Sequence, residues 1–168
     1  MLSEPIADGS FLVVQTANTA DPFVFNVSIG FRYPAGSPPH MKAELAWLPR
    51  ETQEKMLDRW KPIRYTSATI TDRDEMLREF ALIRKRGYAR SVGEFTEGFT
   101  TLVVPIFNRA GEVFLILQCA GVTQTMRPRE AKVAEMLIAC AAAIHRAIDG
   151  RPPADYPTGD PKRQWLVA

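Results

Sequence analysis

The sequence predicts an α+β domain, an antiparallel sheet with helices packed against it. Three observations carry that expectation. Segments rich in apolar and β-branched residues fall at both ends of the chain, at 11–16 and 23–29 and again at 100–107 and 113–120. Helix-like segments lie between these pairs, and one more follows them. Within each pair a short turn signal joins the two strand-like segments, which is hairpin spacing and not a parallel crossover. The length of 168 residues suits one domain. With 46% hydrophobic and 24% charged residues the composition is that of a folded globule, which excludes a wholly disordered chain.

The elements follow in order. Residues 1–10 read as a short lead-in. Phe11 to Thr16 reads as a strand, Asn18 to Pro22 as a turn, and Phe23 to Ile29 as an alternating strand with Phe23, Phe25, Val27 and Ile29 on one face. Gly30 to Gly36 is a loop. Ser37-Pro38 has the chemistry of a helix start, Ser at the N-cap and Pro in the first turn. A second short helix begins near Pro49, with Met56, Leu57 and Trp60 as its apolar residues. Thr71-Asp72-Arg73-Asp74 resembles a capping box opening a helix that buries Met76, Leu77, Phe80 and Ile83 and stops at Gly87. Tyr88 to Gly98 is a strand or extended loop. Pro105 confines the strand at 100–107 to an edge or a bulge, Asn108 to Gly111 is a turn, and Val113 to Ala120 is the strongest strand. Arg129 to Ile148 is a long helix with Val133, Met136, Leu137, Cys140, Ile144 and Ile148 on its apolar stripe. Residues 151–168, with four prolines, form an extended tail.

Several chemistries find no motif. The net charge is +2, from 21 basic and 19 acidic residues, without the basic excess of a nucleic-acid grip. The densest basic cluster, Arg84-Lys85-Arg86, sits at a predicted helix C-terminus, where cations complement the helix dipole. The longest nearly apolar stretch, Met136 to Ile144, is too short to span a bilayer. Met1 to Pro5 lacks the basic and apolar regions of a signal peptide. Cys119 and Cys140 lie in apolar segments and read as buried free thiols in a reducing, cytoplasmic setting. His40 and His145 are the two histidines and show no metal-ligand spacing, and there is no CxxC, GxSxG, Walker or GxGxxG pattern. No cofactor, metal or catalytic residue is expected. One place does attract an anion on physical grounds. In Ser37-Pro38-Pro39-His40-Met41 the prolines remove two helix N-terminal donors, leaving the N–H groups of His40 and Met41 with the His40 side chain beside them. The plain alternative is a helix end satisfied by Ser37 and solvent.

The order of several short motifs resembles a known family. Arg84-Lys85-Arg86-Gly87-Tyr88-Ala89, then Glu94, Gly98, Pro105-Ile106-Phe107-Asn108 and Gly111, resembles the "IR-x-x-GYA…E…G…PV-F-D-x-x-G" pattern of the effector-binding domain of IclR-type bacterial transcriptional regulators. Gly30-Phe31-Arg32-Tyr33-Pro34 is similar to the family's "G-x-R-x-P", and Lys42-Ala43 with Leu45-Ala46 to its "GKALLA" helix. The likeness covers about residues 10–150. It implies a GAF-like or profilin-like fold, an effector-binding domain at 11–150, and a small-molecule effector that is an organic acid or aromatic metabolite. It further implies homodimers or homotetramers, and DNA contact through an N-terminal winged helix-turn-helix that these residues do not contain. Motif matching places the effector pocket on Phe25, Pro39, His40, Met41, Ser91, Thr101, Gln118 and Ala120. It leaves Arg32 and Lys42 as structural residues and Glu94 as a loop-fixing one. Met41 and Gln118 are bulkier than the Gly and Ser that relatives carry there, and Pro39 offers no N–H. A domain kept for oligomerisation alone and a small enzyme on the same fold are the competing readings.

Overall fold

The computed structural model describes residues 1–17 and 26–157. In them six strands form one antiparallel sheet in the order β3-β2-β1-β6-β5-β4. The strands are β1 (Leu2–Pro5), β2 (Phe11–Gln15), β3 (Arg32–Tyr33), β4 (Ala89–Val92), β5 (Phe99–Phe107) and β6 (Val113–Val122). The helices are α1 (Pro38–Leu45), α2 (Arg50–Asp58), α3 (Arg73–Arg86), α4 (Thr123–Met126) and α5 (Glu130–Ile148). The α+β architecture expected from the sequence is what forms.

The period-2 alternation of the long hairpin β5–β6 separates two cores. Leu102, Val104 and Ile106, with Leu115, Leu117 and Cys119, face α5. Val103, Phe107 and Ile116 face the other way, onto α1 and α3 and onto Phe11 and Val13 of β2. Both faces are therefore covered, as the two-sided apolar character of residues 113–120 requires. Pro105 is tolerated because β4 pairs β5 only as far as Val103, so the flank of Pro105 away from β6 has no ladder to break.

Five sequence expectations are corrected. The lead-in contains β1, which lies in the middle of the sheet between β2 and β6. Its hairpin to β2 turns at Gly9, φ 80°, with the Asp8 carboxylate accepting from the Ser10 N–H and hydroxyl. The partners of β2 are thus β1 and β3, not residues 23–29; positions 18–25 lie outside the described residues, and 26–29 are not strand. The stripe of α5 is rotated: Ala134, Leu137, Ile138, Ala141 and His145 are buried, whereas Met136 and Cys140 are exposed. The tail folds back over 151–157, burying Tyr156 against Trp47, Phe107 and His145. Helix α3 also opens one residue later than the capping pattern suggests. Asp72 is the N-cap and accepts from Glu75 N–H, while Gly87 closes the helix at φ 88°.

Candidate functional site

The first turn of α1 lies over the sheet. Ser37 is the N-cap, and Met41 N–H bonds the Ser37 carbonyl, so of the two donors expected there one is already spent inside the helix. The Ser37 hydroxyl caps no backbone group; it lies 3.1 Å from His40 Nδ1 and fixes the imidazole. That ring sits 4.9 Å from Phe11 and 4.3 Å from Tyr33, with no solvent exposure. Burial pushes the His40 pKa down to about 3, so the ring is neutral near pH 7.

Beside it is a cavity of about 70 Å³. A single water needs roughly 10–15 Å³ on this scale, so the space suits a small molecule of ring size. The sheet forms the floor through Ser91, Thr101, Gln118 and Ala120, which the strand alternation directs to one face. Pro39 and His40 come from α1. Four aromatic rings close it: Phe31 and Tyr33 at β3, and Phe95 and Phe99 flanking the β4–β5 connection, with Thr96 between them. The Tyr33 and Phe95 rings meet edge-on at 5.8 Å although β3 and β4 are opposite edges of the sheet, so the sheet curls around the space.

Six of the eight sequence-named positions therefore line one cavity: Pro39, His40, Ser91, Thr101, Gln118 and Ala120. Met41 does not; it packs into the core beside Ala43 and Leu45. Phe25 lies outside the described residues. The aromatic walls went unread, because Phe31, Tyr33, Phe95 and Phe99 sit in short loops and strand ends without periodicity. The one available signal was the cluster of rings beside the Gly30–Pro34 and Glu94–Gly98 motifs.

Two buried polar atoms in the lining lack partners, His40 Nε2 and Gln118 Oε1. Gln118 stands near enough to the His40 and Tyr33 rings to influence their titration, yet no bond of normal geometry satisfies these two atoms. Buried polar groups in folded proteins are nearly always paired, so the two atoms mark where a guest or an ordered water completes the site. Behind the cavity Lys42 donates to Glu94 Oε1 and to the Arg90 carbonyl, joining α1 to β4 and to the loop carrying Phe95. Thr66 and Thr69 hydroxyls bond the Glu94 carbonyl from the α2–α3 link. Arg32 pairs with Asp8 and Ser10 at the rim of the β1–β2 turn. Among the described residues no group of three His, Cys, Asp or Glu is placed to hold a metal ion, and no helix is long and apolar enough to cross a membrane.

A curled antiparallel sheet, helices on both faces and an aromatic cavity beneath a helix N-terminus define a small-molecule-binding class of α+β domain. The model of one family, bacterial transcriptional regulator IclR C-terminal, matches residues 6–146, and the chain belongs to that family. It is 29% identical over 105 residues to the p-hydroxybenzoate hydroxylase transcriptional activator of Acinetobacter baylyi, covering 62% of this chain and 39% of that protein. Its fold superposes on the C-terminal domain of the E. coli transcriptional regulator KdgR with a TM-score of 0.72 at 26% identity, covering 88% of this chain and 85% of that one. It also superposes on a double mutant of the inducer-binding domain of PobR from Acinetobacter, solved with 3-hydroxybenzoic acid, with a TM-score of 0.69 at 24% identity, covering 85% of this chain and 84% of that one. The chain spans about half the length, or less, of the curated relatives it matches.

Proposed function

We propose that this chain is the effector-sensing domain of an IclR-type regulator, and that a small organic acid or aromatic metabolite occupies the cavity under α1. The observation that carries the reading is the aromatic-lined space with His40 Nε2 and Gln118 Oε1 left without a hydrogen-bond partner of normal geometry beside it. The PobR inducer-binding domain that it resembles was solved with 3-hydroxybenzoic acid, which supports a single-ring ligand of that chemistry. Binding shifts the balance between two arrangements of the domain or its oligomer, and through them the DNA affinity of a winged helix-turn-helix partner domain, by differential affinity for the two states. Pro39, His40, Ser91, Thr101, Gln118 and Ala120 form the effector contacts, and the protein works in the cytoplasm as a homodimer or homotetramer.

Thermal melting against a panel of aromatic and aliphatic acids tests this. A ligand at about one hundred times its Kd stabilises the folded state by roughly 2.7 kcal/mol, a rise of about 5–10 °C in Tm for a domain of this size. His40→Ala and Gln118→Ala abolish the rise. If both variants respond as the parent does, the effector binds elsewhere.

A further inference from the structure

We propose that the facing hydroxyls of Ser91 and Thr101 read a ring hydroxyl of the bound acid, so that the cavity selects hydroxylated aromatic acids over unsubstituted ones. This rests on the reading of the cavity as the effector site. The sheet sets the pair. Ser91 of β4 and Thr101 of β5 are direct partners across the antiparallel ladder, and Ala120 of β6 completes the same rung. All three line the cavity. Directly opposed side chains on one face have Cβ atoms about 4.5–5.5 Å apart, which sets the two hydroxyls side by side. The third member of the rung ends in a methyl group, so the polar part of this rung lies on its β4–β5 side.

The two hydroxyls are uncommitted. Among the described residues neither of them bonds any group, the other hydroxyl included. Ser91 is 3% exposed, and the access that its hydroxyl keeps is to the cavity it lines. The neighbouring polar groups are occupied or outside. Gln118 turns its side chain to those of His40 and Tyr33, Lys42 holds Glu94 behind the wall, and Thr96 is exposed. A serine or threonine hydroxyl donates one hydrogen and accepts others. A ring hydroxyl between the two gives its proton to one and receives a proton from the other, and all three are paired. A hydrogen or methyl group in that place leaves two buried hydroxyls against an apolar surface, without the water that the empty cavity supplies. The carboxylate of the same ligand has a better place at the first turn of α1. There the His40 N–H is not used within the helix, and the dipole end is positive. Different elements thus read the two ends of the acid, and Tyr33, Phe95 and Phe99 enclose its ring.

The experiment is calorimetric titration of the chain with benzoate, 3-hydroxybenzoate and 4-hydroxybenzoate at neutral pH, with near-UV circular dichroism checking the fold of each variant. In the parent at least one hydroxybenzoate binds about tenfold or more tightly than benzoate. Ser91→Ala combined with Thr101→Val removes both hydroxyls with little change of shape. It brings that preference to within about twofold and leaves benzoate within about threefold of its parent affinity. Thr101→Ser, which keeps the hydroxyl, keeps the preference. Thr101→Val alone lowers it about threefold and serves if the double variant does not fold. Benzoate binding as tightly as both hydroxybenzoates in the parent overturns the proposal while leaving the cavity a ligand site. A preference that survives in the folded double variant overturns the role of the pair. So does a loss of benzoate affinity there equal to that of the hydroxybenzoates, since it puts the carboxylate on the two hydroxyls. Binding of none of the three acids refutes the reading of the cavity as a site for single-ring acids, and the proposal with it.

Discussion

Lys42 and His40 are neighbours on α1 with no solvent exposure, and each carries a different electrostatic consequence. The Lys42 ammonium is tolerated because Glu94 Oε1 and the Arg90 carbonyl replace its water. Burial pushes the Glu94 carboxyl up, and Lys42 partly offsets that. Removing one partner strands the other, so Lys42→Met lowers stability by about 3–5 kcal/mol, and adding Glu94→Gln recovers most of the loss, as urea unfolding can measure. For His40 the folded-state pKa lies below the unfolded value, so the unfolded chain binds the proton first. Stability is full above about pH 6.5 and falls as pH drops toward 3, at about 1.4 kcal/mol per unit. Between pH 7 and pH 5 this amounts to about 2 kcal/mol. His145, also lowered by burial, adds in the same direction, and the raised Glu94 works against both. Comparing the two pH values in the parent and in His40→Asn isolates the imidazole: the variant loses less stability on acidification by about that amount.

At the scale of elements, α3 shows how far local chemistry specifies a boundary. The capping pattern and Gly87 are both visible in the sequence, yet Thr71 and Asp72 compete for the N-cap, and only the backbone decides. Asp72 takes the extended N-cap conformation and its carboxylate accepts from the N–H of Glu75, the third helical residue. The Thr71 hydroxyl instead receives a bond from Arg64 on the exposed side. Asp72→Ala therefore costs about 1 kcal/mol in thermal or urea unfolding, whereas Thr71→Ala stays within about 0.5 kcal/mol. Legibility failed where the information was not local. In β1 only Ser3 is fully buried, and its partners on β6, Ile116 and Leu117, are more than a hundred positions away. No window around residues 1–10 could reveal that pairing. In α5 the failure was one of phase: the helix is apolar on nearly every face from Met136 to Ile144, so periodicity fixes the element but not which side meets the sheet.

At the scale of the whole molecule, the site and the closing of the fold both depend on curvature that the sequence does not display. The floor of the cavity was legible because strand alternation sets Gln118 with Ala120 and Ser91 opposite Thr101. Its aromatic walls were not, since Tyr33 and Phe95 are 62 positions apart and meet only where the sheet curls. The same holds at the opposite end of the α1 layer, where residues 151–157 return across the domain. Tyr156 is 3% exposed and meets edge-on the rings of Trp47, just beyond α1, at 4.9 Å, of Phe107 on β5 at 5.3 Å and of His145 on α5 at 5.8 Å. Pro157 then lies against Gly87 so closely that a Cβ at that glycine would run into its ring. One side chain thus ties together the two helical layers and the sheet between them. The Tyr156 hydroxyl reaches the Pro105 carbonyl only at 3.5 Å, too long to matter much, so its contribution is packing. Tyr156→Phe should change stability by less than about 1 kcal/mol, while Tyr156→Ala opens a cavity between all three layers and costs about 3–5 kcal/mol. Urea midpoints of the two variants decide the point: equal losses would mean that the hydroxyl, and not the ring, holds the returning segment in place.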